Sequence, residues 1–286
     1  MSSMKAIKSR IKSVASTQQI TKAMNLVSTS KLAKARERLG NERPYSQEVR
    51  RLLARMAQDT DIQRNRYFAP SQGENILIIL VTGDKGLCGG YNANACRACR
   101  ELIRGPQKGA FICVGNKGRD FYIRRGKRIY ETFVGISEAP FYYDAENIAQ
   151  LALSPYNAGE FDAVYLSYTR FENVVTYEPQ VLRLLPLDVE ILQLDEDEAP
   201  SPDIGLEPAD EALMEHAVPS YMSSMVFNAL CESSASQQAA RMISMETATD
   251  NAEKMISSLN LQYNRMRQNK ITQEIIEIVS GANALN

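Results

Sequence analysis

The chain has 286 residues, 33 Lys/Arg against 34 Asp/Glu, and a formal net charge of −1. That length allows one or two domains with a sizeable core, and 44% hydrophobic with 23% charged residues is an ordinary globular composition. No stretch approaches ~18 uncharged apolar residues, which excludes a membrane-spanning helix. The first ten residues lack an apolar h-region, so secretion is not expected. They are basic and amphipathic, like a transit peptide, but their pattern runs on into a much longer helix. Five cysteines (88, 96, 99, 113, 231) form no even framework and suggest a reducing compartment.

The net charge hides an asymmetry. Residues 1–55 hold 13 Lys/Arg against three Glu, while residues 188–215 hold 11 acids and no Lys or Arg. A basic helix suits nucleic acid, an anionic membrane, an acidic protein surface, or simply solvent.

In chain order, residues 4–39 read as a helix. Met4, Ile7, Ile11 and Val14 recur at 3/4 spacing; the seam turns polar at Gln18, Thr21, Asn25 and Ser28, then apolar at Leu32, Ala35 and Leu39. A second stripe, Ile20, Met24 and Val27, is expected to take over in the middle, giving a twisted helix pair with a shifting seam. Gly40 and Pro44 predict a kink or break near 40–44, after which Tyr45–Gln58 resumes the helix.

Residues 73–205 hold 13 of the 15 glycines. Ile76–Val81 is a continuous apolar run suited to a buried parallel strand. Ala93–Ile103 reads as helix, Ala110–Val114 as strand, Lys117–Arg125 as helix, Arg128–Phe133 as strand and Ala145–Leu153 as helix. Phe161–Phe171 reads as a strand, with Val174–Leu184 as its hairpin partner. This alternation predicts a doubly wound α/β domain, mainly parallel, with an antiparallel edge. Asp195–Pro208, with three prolines and an acidic run, reads as a linker or exposed loop.

Ser220–Ser280 contains no glycine or proline and is rich in helix formers. At ~1.5 Å per residue, one helix of that length spans roughly 90 Å, which demands a partner. Met242, Met245, Thr249, Ala252, Ile256, Leu259, Tyr263 and Met266 form a coiled-coil seam. After Lys270 the phase changes to Ile271, Ile275, Ile278, Ala282 and Leu285. The two terminal helices are natural antiparallel partners. Above Lys270 the C-terminal helix is expected to continue alone, with its apolar residues against other subunits. The expected domains are therefore a helix over 1–58, an α/β domain over 73–195 and a helix over 209–286.

The chemistry is sparse. The turn Thr82-Gly-Asp-Lys-Gly-Leu-Cys-Gly-Gly-Tyr-Asn92 sits where a phosphate loop would, yet it fits neither the P-loop nor the G-x-G-x-x-G pattern. A tight turn presenting Asp84 and Lys85 to a partner is the alternative. Cys96 and Cys99 form a C-x-x-C on a predicted helix, without a second metal-binding pair; inert helix cysteines are the favoured reading. His216 is the only histidine and reads as a surface residue near a helix start. The acidic cluster Asp195–Glu198 lacks the glycine of a calcium loop and reads as solvated. No nucleophile–base pair is found, so no catalysis, cofactor or metal is expected. A nucleotide-binding α/β protein with a coiled-coil dimerisation stalk is the alternative function. Nucleic acid is disfavoured because residues 1–40 carry no interleaved aromatics.

Several collinear stretches carry a resemblance: Ile7-Lys-Ser-Arg-Ile-Lys-Ser-Val14, Thr17-Gln-Gln-Ile-Thr-Lys-Ala-Met24, Gly83-Asp-Lys-Gly-Leu-Cys-Gly-Gly90, Met245-Glu-Thr-Ala-Thr-Asp-Asn-Ala252, Leu261-Gln-Tyr-Asn-Arg-Met-Arg-Gln268, and Ile271 to Ala284. Together they resemble the gamma subunit of the F-type ATP synthase, the central rotor stalk, in its bacterial form. The resemblance implies an antiparallel coiled coil inserted in a ring of alpha and beta subunits, above a Rossmann-like domain that meets the epsilon subunit and the membrane c-ring. It implies a non-catalytic shaft that couples ion flow to ATP synthesis or hydrolysis on the beta subunits, at the cytoplasmic face of the cell membrane. By matching position it points to Lys22, Met24, Lys31, Arg241, Arg267, Gln268, Thr272 and Glu274 as contacts with the ring. Ile275 and Ile278 belong to an apolar bearing. Asp84, Lys85 and the loop from about 196 to 210 are implied lower-stalk contacts. No regulatory cysteine insert of the plant-chloroplast kind is present.

Overall fold

The structure is a computed structural model and describes residues 4–56, 65–69, 73–100, 102–103, 108–188 and 211–284. In chain order it runs α1 (Met4–Met56), β1 (Asn75–Val81), α2 (Tyr91–Ala98), β2 (Lys108–Val114) and α3 (Asn116–Ile123). There follow β3 (Arg128–Phe133), α4 (Tyr142–Asn157), β4 (Ala163–Phe171), β5 (Tyr177–Leu185) and α5 (Glu211–Ala284). The acidic loop of residues 195–208 lies outside the described residues.

The strands form one sheet in the order β3-β2-β1-β4-β5. The pairs β1–β2, β1–β4 and β2–β3 are parallel and β4–β5 is antiparallel, so the expected hairpin closes one edge. β1 is buried on both faces, from Ile76 through Val81, because helices cover both. Leu77, Ile79 and Val81 meet Ile148 and Ala152 of α4, Val218, Met222 and Val226 of α5, and Leu53 and Met56 of α1. Ile76, Ile78 and Leu80 face the other way, into a cluster with Cys96, Cys99, Phe111, Cys113 and Tyr122.

Two compact units divide the chain: Thr29–Ala240, and the segments up to Ser28 and from Arg241 onward. In the second, the starts of α1 and the end of α5 lie together. The predicted seam is the covered one. Ile7, Thr21, Ala252 and Leu259 are buried, and Ile11, Val14, Gln18, Asn25, Ile256 and Tyr263 are half-buried. The expected hand-over to a second stripe does not occur, since Ile20 and Val27 are 58% and 55% exposed. Two of the polar seam residues, Thr21 and Asn25, bond across the helices. The Thr21 and Thr249 hydroxyls lie 2.7 Å apart, and Asn25 Nδ2 donates to the Met242 carbonyl at 3.0 Å. Short polar side chains allow a close approach that long apolar ones would block.

Of the kink or break expected at 40–44, the break does not occur: α1 passes through Gly40 and Pro44 as one helix. A proline inside a helix costs about 3 kcal/mol. Burial of Leu32, Ala35 and Leu39 before it, and of Leu53 and Met56 after it, offsets that cost, at roughly 1.5–3 kcal/mol for each large side chain.

The seam predicts contrasting substitutions. Leu32→Ala removes a side chain that is 5% exposed and should cost about 2–5 kcal/mol. Ile20→Ala removes a solvent-facing one and should stay within about 0.5 kcal/mol. Urea unfolding of the full chain separates the two; equal losses would contradict the assigned seam.

Candidate functional site

In a doubly wound sheet, ligands bind where the strand order reverses, outside the carboxyl ends of the strands. Here that point lies between β1 and β4. Their pairing ends at Leu80 and Ser167, so β4 continues to Phe171 with one edge no longer covered by β1. Opposite Thr169 on the other side stands Pro179 of β5, which has no N–H to give. The Thr169 N–H and C=O point to the uncovered edge, so the proline costs no ladder hydrogen bond.

Helix α5 fills that edge. Ser233 Oγ accepts the Thr169 N–H at 3.1 Å, Ser236 Oγ donates to the Thr169 carbonyl at 3.2 Å, and Glu232 Oε2 accepts the Phe171 N–H at 3.2 Å. Tyr91 of α2 donates its hydroxyl to the Ser233 carbonyl at 3.1 Å, and Ser234 Oγ donates to the Glu138 carbonyl at 3.0 Å. Ala229 to Arg241 are all buried. Gln237 lies so close to the glycine-rich turn that a Cβ at Gly83 would fall 1.9 Å from its Nε2. The crevice in which a nucleotide would sit is thus occupied by the chain's own helix. The nucleotide-binding alternative fails here, and its dimerisation stalk is unnecessary because α1 and α5 partner each other within one chain.

The glycine-rich turn is held as firmly. Thr82 Oγ1 donates to the Val114 carbonyl and accepts the Gly118 N–H, each at 2.9 Å. Gly115, at φ 89°, approaches so closely that a Cβ would sit 2.3 Å from the Thr82 carbonyl oxygen. Asp84 works inward. Its Oδ1 accepts from the Asn116 backbone and side chain at 3.2 and 3.3 Å; its Oδ2 accepts from Gly135 N–H at 3.0 Å and Ser137 Oγ at 2.8 Å. One carboxylate thereby ties together the loops after β1, β2 and β3. Lys85 is exposed, and so is Leu87, at φ 62° and 62% exposure.

The other predicted contacts fall into two sets. Lys22 is exposed and Met24 half-buried; Arg267, Gln268, Thr272, Glu274, Ile275 and Ile278 are all exposed. Lys31 is partly committed within the chain, pairing with Glu138 at 2.5 Å. Arg241 is 5% exposed, so its guanidinium is not on the surface of this chain. Its burial follows from its position at the end of the fully covered Ala229–Arg241 stretch of α5. Sequence reading missed Glu232, Ser233, Ser236 and Gln237. The signal was there: a helical run of small polar residues without an apolar stripe, which a solvated helix does not need.

All five cysteines are free and buried. Burial pushes the Cys96 and Cys113 thiols up to about 12 and Cys99 to about 11, so they are protonated and unreactive near neutrality. His216 is exposed, as expected. Among the described residues there is no cluster that could hold a metal ion.

The family model described as ATP synthase matches residues 3–285. The ATP synthase gamma chain of Alkaliphilus metalliredigens is 43% identical over 284 residues, covering 99% of this chain and 98% of that one. The chain belongs to the ATP synthase gamma chain family. A second relative, the sodium ion specific gamma chain of Acetobacterium woodii, is 40% identical and covers 98% of each chain. Among solved structures, the central stalk of the Tetrahymena thermophila mitochondrial ATP synthase aligns at TM-score 0.62 and 29% identity, over 80% of this chain and 99% of that one. A Euglena gracilis mitochondrial ATP synthase chain gives 0.71 at 21% identity, over 99% and 94%. The fold is that of the gamma subunit, a non-catalytic part of the central stalk of F-type ATP synthase; catalysis belongs to the beta subunits.

Two outcomes follow. Ser233→Ala leaves the buried Thr169 N–H without its acceptor and should cost about 1–3 kcal/mol in urea unfolding. The raised thiols, with Tyr168 and Tyr221 also pushed up by burial to about 12, give an alkaline limit. Their neutral forms are favoured in the folded state, so folding holds protons that the unfolded chain releases above about 9. Stability should be flat from neutrality to that pH and fall towards 12, and Cys113→Ala should flatten the slope. A stability that rises over this window would contradict the assignment.

Proposed function

We propose that this gamma-family chain turns inside a ring of alpha and beta subunits, couples ion flow through a membrane c-ring to ATP synthesis or hydrolysis on the beta subunits, and meets an epsilon subunit at its α/β domain. The observation that carries this reading is the end of α5. Every described residue from Arg267 to Gly281 is exposed, including Ile271, Ile275, Ile276, Ile278 and Val279, at 47–72%. Apolar residues so grouped mark an interaction site.

In this reading Ile275 and Ile278 form an apolar bearing, while Arg267, Gln268, Thr272 and Glu274 bond to loops of the ring. Lys22, Met24 and the exposed Leu26 and Val27 face the same ring from α1, and the basic character of α1 suits acidic segments of the beta subunits. Electrostatic contacts of this kind steer and align without locking a sliding surface. Lys85 is the surface group of the glycine-rich turn that meets a partner, with Asp84 shaping the turn behind it. Arg241 acts from within the chain, by fixing the helix it stands on. No helix among the described residues is long and apolar enough to cross a membrane, and attachment to the cytoplasmic face of the cell membrane is through the c-ring.

Deleting residues 271–286 should leave the α/β domain folded and lower coupled ATP synthesis in the reconstituted complex severalfold. Wild-type coupling in the truncated enzyme would remove the bearing role. Failure of the full chain to co-purify with an alpha/beta ring would remove the reading altogether.

A further inference from the structure

The face of the sheet opposite α4 and α5 carries a cleft of ≈ 340 Å³. It is distinct from the switch-point crevice that α5 fills. Four cations surround it: Arg97 and Arg100 from the end of α2, and Arg125 and Lys127 from the turn after α3. Its floor includes the rings of Phe121 and Tyr122. Among the described lining residues there is no carboxylate.

The parts are held in place. Tyr122 is 1% exposed, stacks on Phe111 at 4.0 Å between centroids, and donates its hydroxyl to the Cys96 carbonyl at 2.7 Å. Phe121 meets Tyr122 edge-on at 5.1 Å. The Arg125 guanidinium lies over the Phe121 ring, 3.6 Å from its centroid, and donates to the Phe121 carbonyl at 2.9 Å. Arg97 donates to Asn94 Oδ1 at 3.1 Å. One basic residue near a helix end is accounted for by the helix dipole. Four around one concave, ring-floored space are more than two short helices need, and they repel one another until an anion sits between them. Guanidinium groups match phosphate oxygens in planar, paired hydrogen bonds, and the volume is within the range of small-ligand sites.

We propose that this cleft binds a small anion bearing two or more linked phosphates, seated on Arg97, Arg100, Arg125 and Lys127, with any planar ring of the ligand lying against Phe121 and Tyr122. The binding is non-covalent and independent of the stalk role.

The test uses the full chain at low salt, titrated calorimetrically with pyrophosphate in one arm and ADP in the other. Saturable binding with a Kd below about 1 mM is expected, weakening tenfold or more, at about 1.4 kcal/mol per tenfold, in the double variant Arg100→Glu/Lys127→Glu. Both positions are on the rim, and an unchanged melting temperature verifies that the fold survives. The control Lys12→Glu/Lys254→Glu carries the same charge change on the other compact unit, at residues that do not line the cleft, and should bind as the parent does. ADP binding more tightly than pyrophosphate supports the ring contact, and equal affinity overturns that contact. No saturable binding of either probe, or equal weakening by the control, overturns the site.

Discussion

The constraint on which the rest depends is the uncovered edge of β4. A strand that outruns its neighbour exposes N–H and C=O groups that must be paired if they are buried, at about 1–3 kcal/mol for each one left unmet. Water could meet them, but then the edge would stay open. The chain instead brings Glu232, Ser233 and Ser236 to that edge. Everything about α5 at this level follows. Its side chains must be polar to bond with a backbone, and covered on every side. A helix with one apolar stripe could not do this. The result converts a ligand crevice into a socket for a helix, and it leaves the doubly wound fold without the site for which that fold is otherwise suited.

The same device recurs where α1 and α5 pair. Across the middle of that pairing, Thr21 with Thr249 and Asn25 with the Met242 carbonyl take the place of apolar knobs. Each such bond contributes only about 0.5–1.5 kcal/mol net, so the gain is less in stability than in geometry. Small polar groups let two backbones come close and fix their register. They also release Ile20, Leu26 and Val27 from the seam, and these are the exposed large apolar residues among the described side chains of α1. An interior made of polar contacts thus goes with an exterior free to be apolar.

Much of this was legible in the sequence, for identifiable reasons. The strands and helices of the α/β domain follow from runs such as Ile76–Val81, whose burial on both faces leaves no alternation to misread. The two seams follow from 3/4 spacing, which survives even where the residues are polar. Two expectations failed because they weighed local chemistry over packing. Gly40 and Pro44 disfavour helix locally, but buried leucines on either side carry the helix through. Ile20 and Val27 looked like core because they are apolar, yet the covered positions are Thr21 and Ser28; the partners of Thr21 and Asn25 lie more than 200 residues away in sequence and could not be read from spacing. Asp84 was legible as important but not in its role: that its carboxylate joins three loops depends on a sheet order no local pattern reveals. The socket residues were hidden for the same reason, since what they satisfy is a strand edge far away in the chain.

The end of α5 completes the logic in the opposite sense. A helix of this length without packing is marginal in water, because most helical stability in proteins comes from a buried face. Above Met266 the chain covers none of the described residues, and what supports the helix locally is modest. Lys270 with Glu274 at 3.4 Å, and Gln273 with Glu277 at 3.1 Å, are i,i+4 pairs that contribute about 0.2–0.5 kcal/mol each. Isoleucine is a weaker helix former than alanine or leucine, so a sequence selected only for a free helix would not place Ile271, Ile275, Ile276 and Ile278 there. Their presence on an uncovered helix, at a helix-propensity cost, is explained by apolar surfaces outside the chain. One helix therefore combines two solutions to burial: a stretch whose Glu232, Ser233 and Ser236 side chains complete a strand edge of its own chain, and an end whose apolar side chains are left for another.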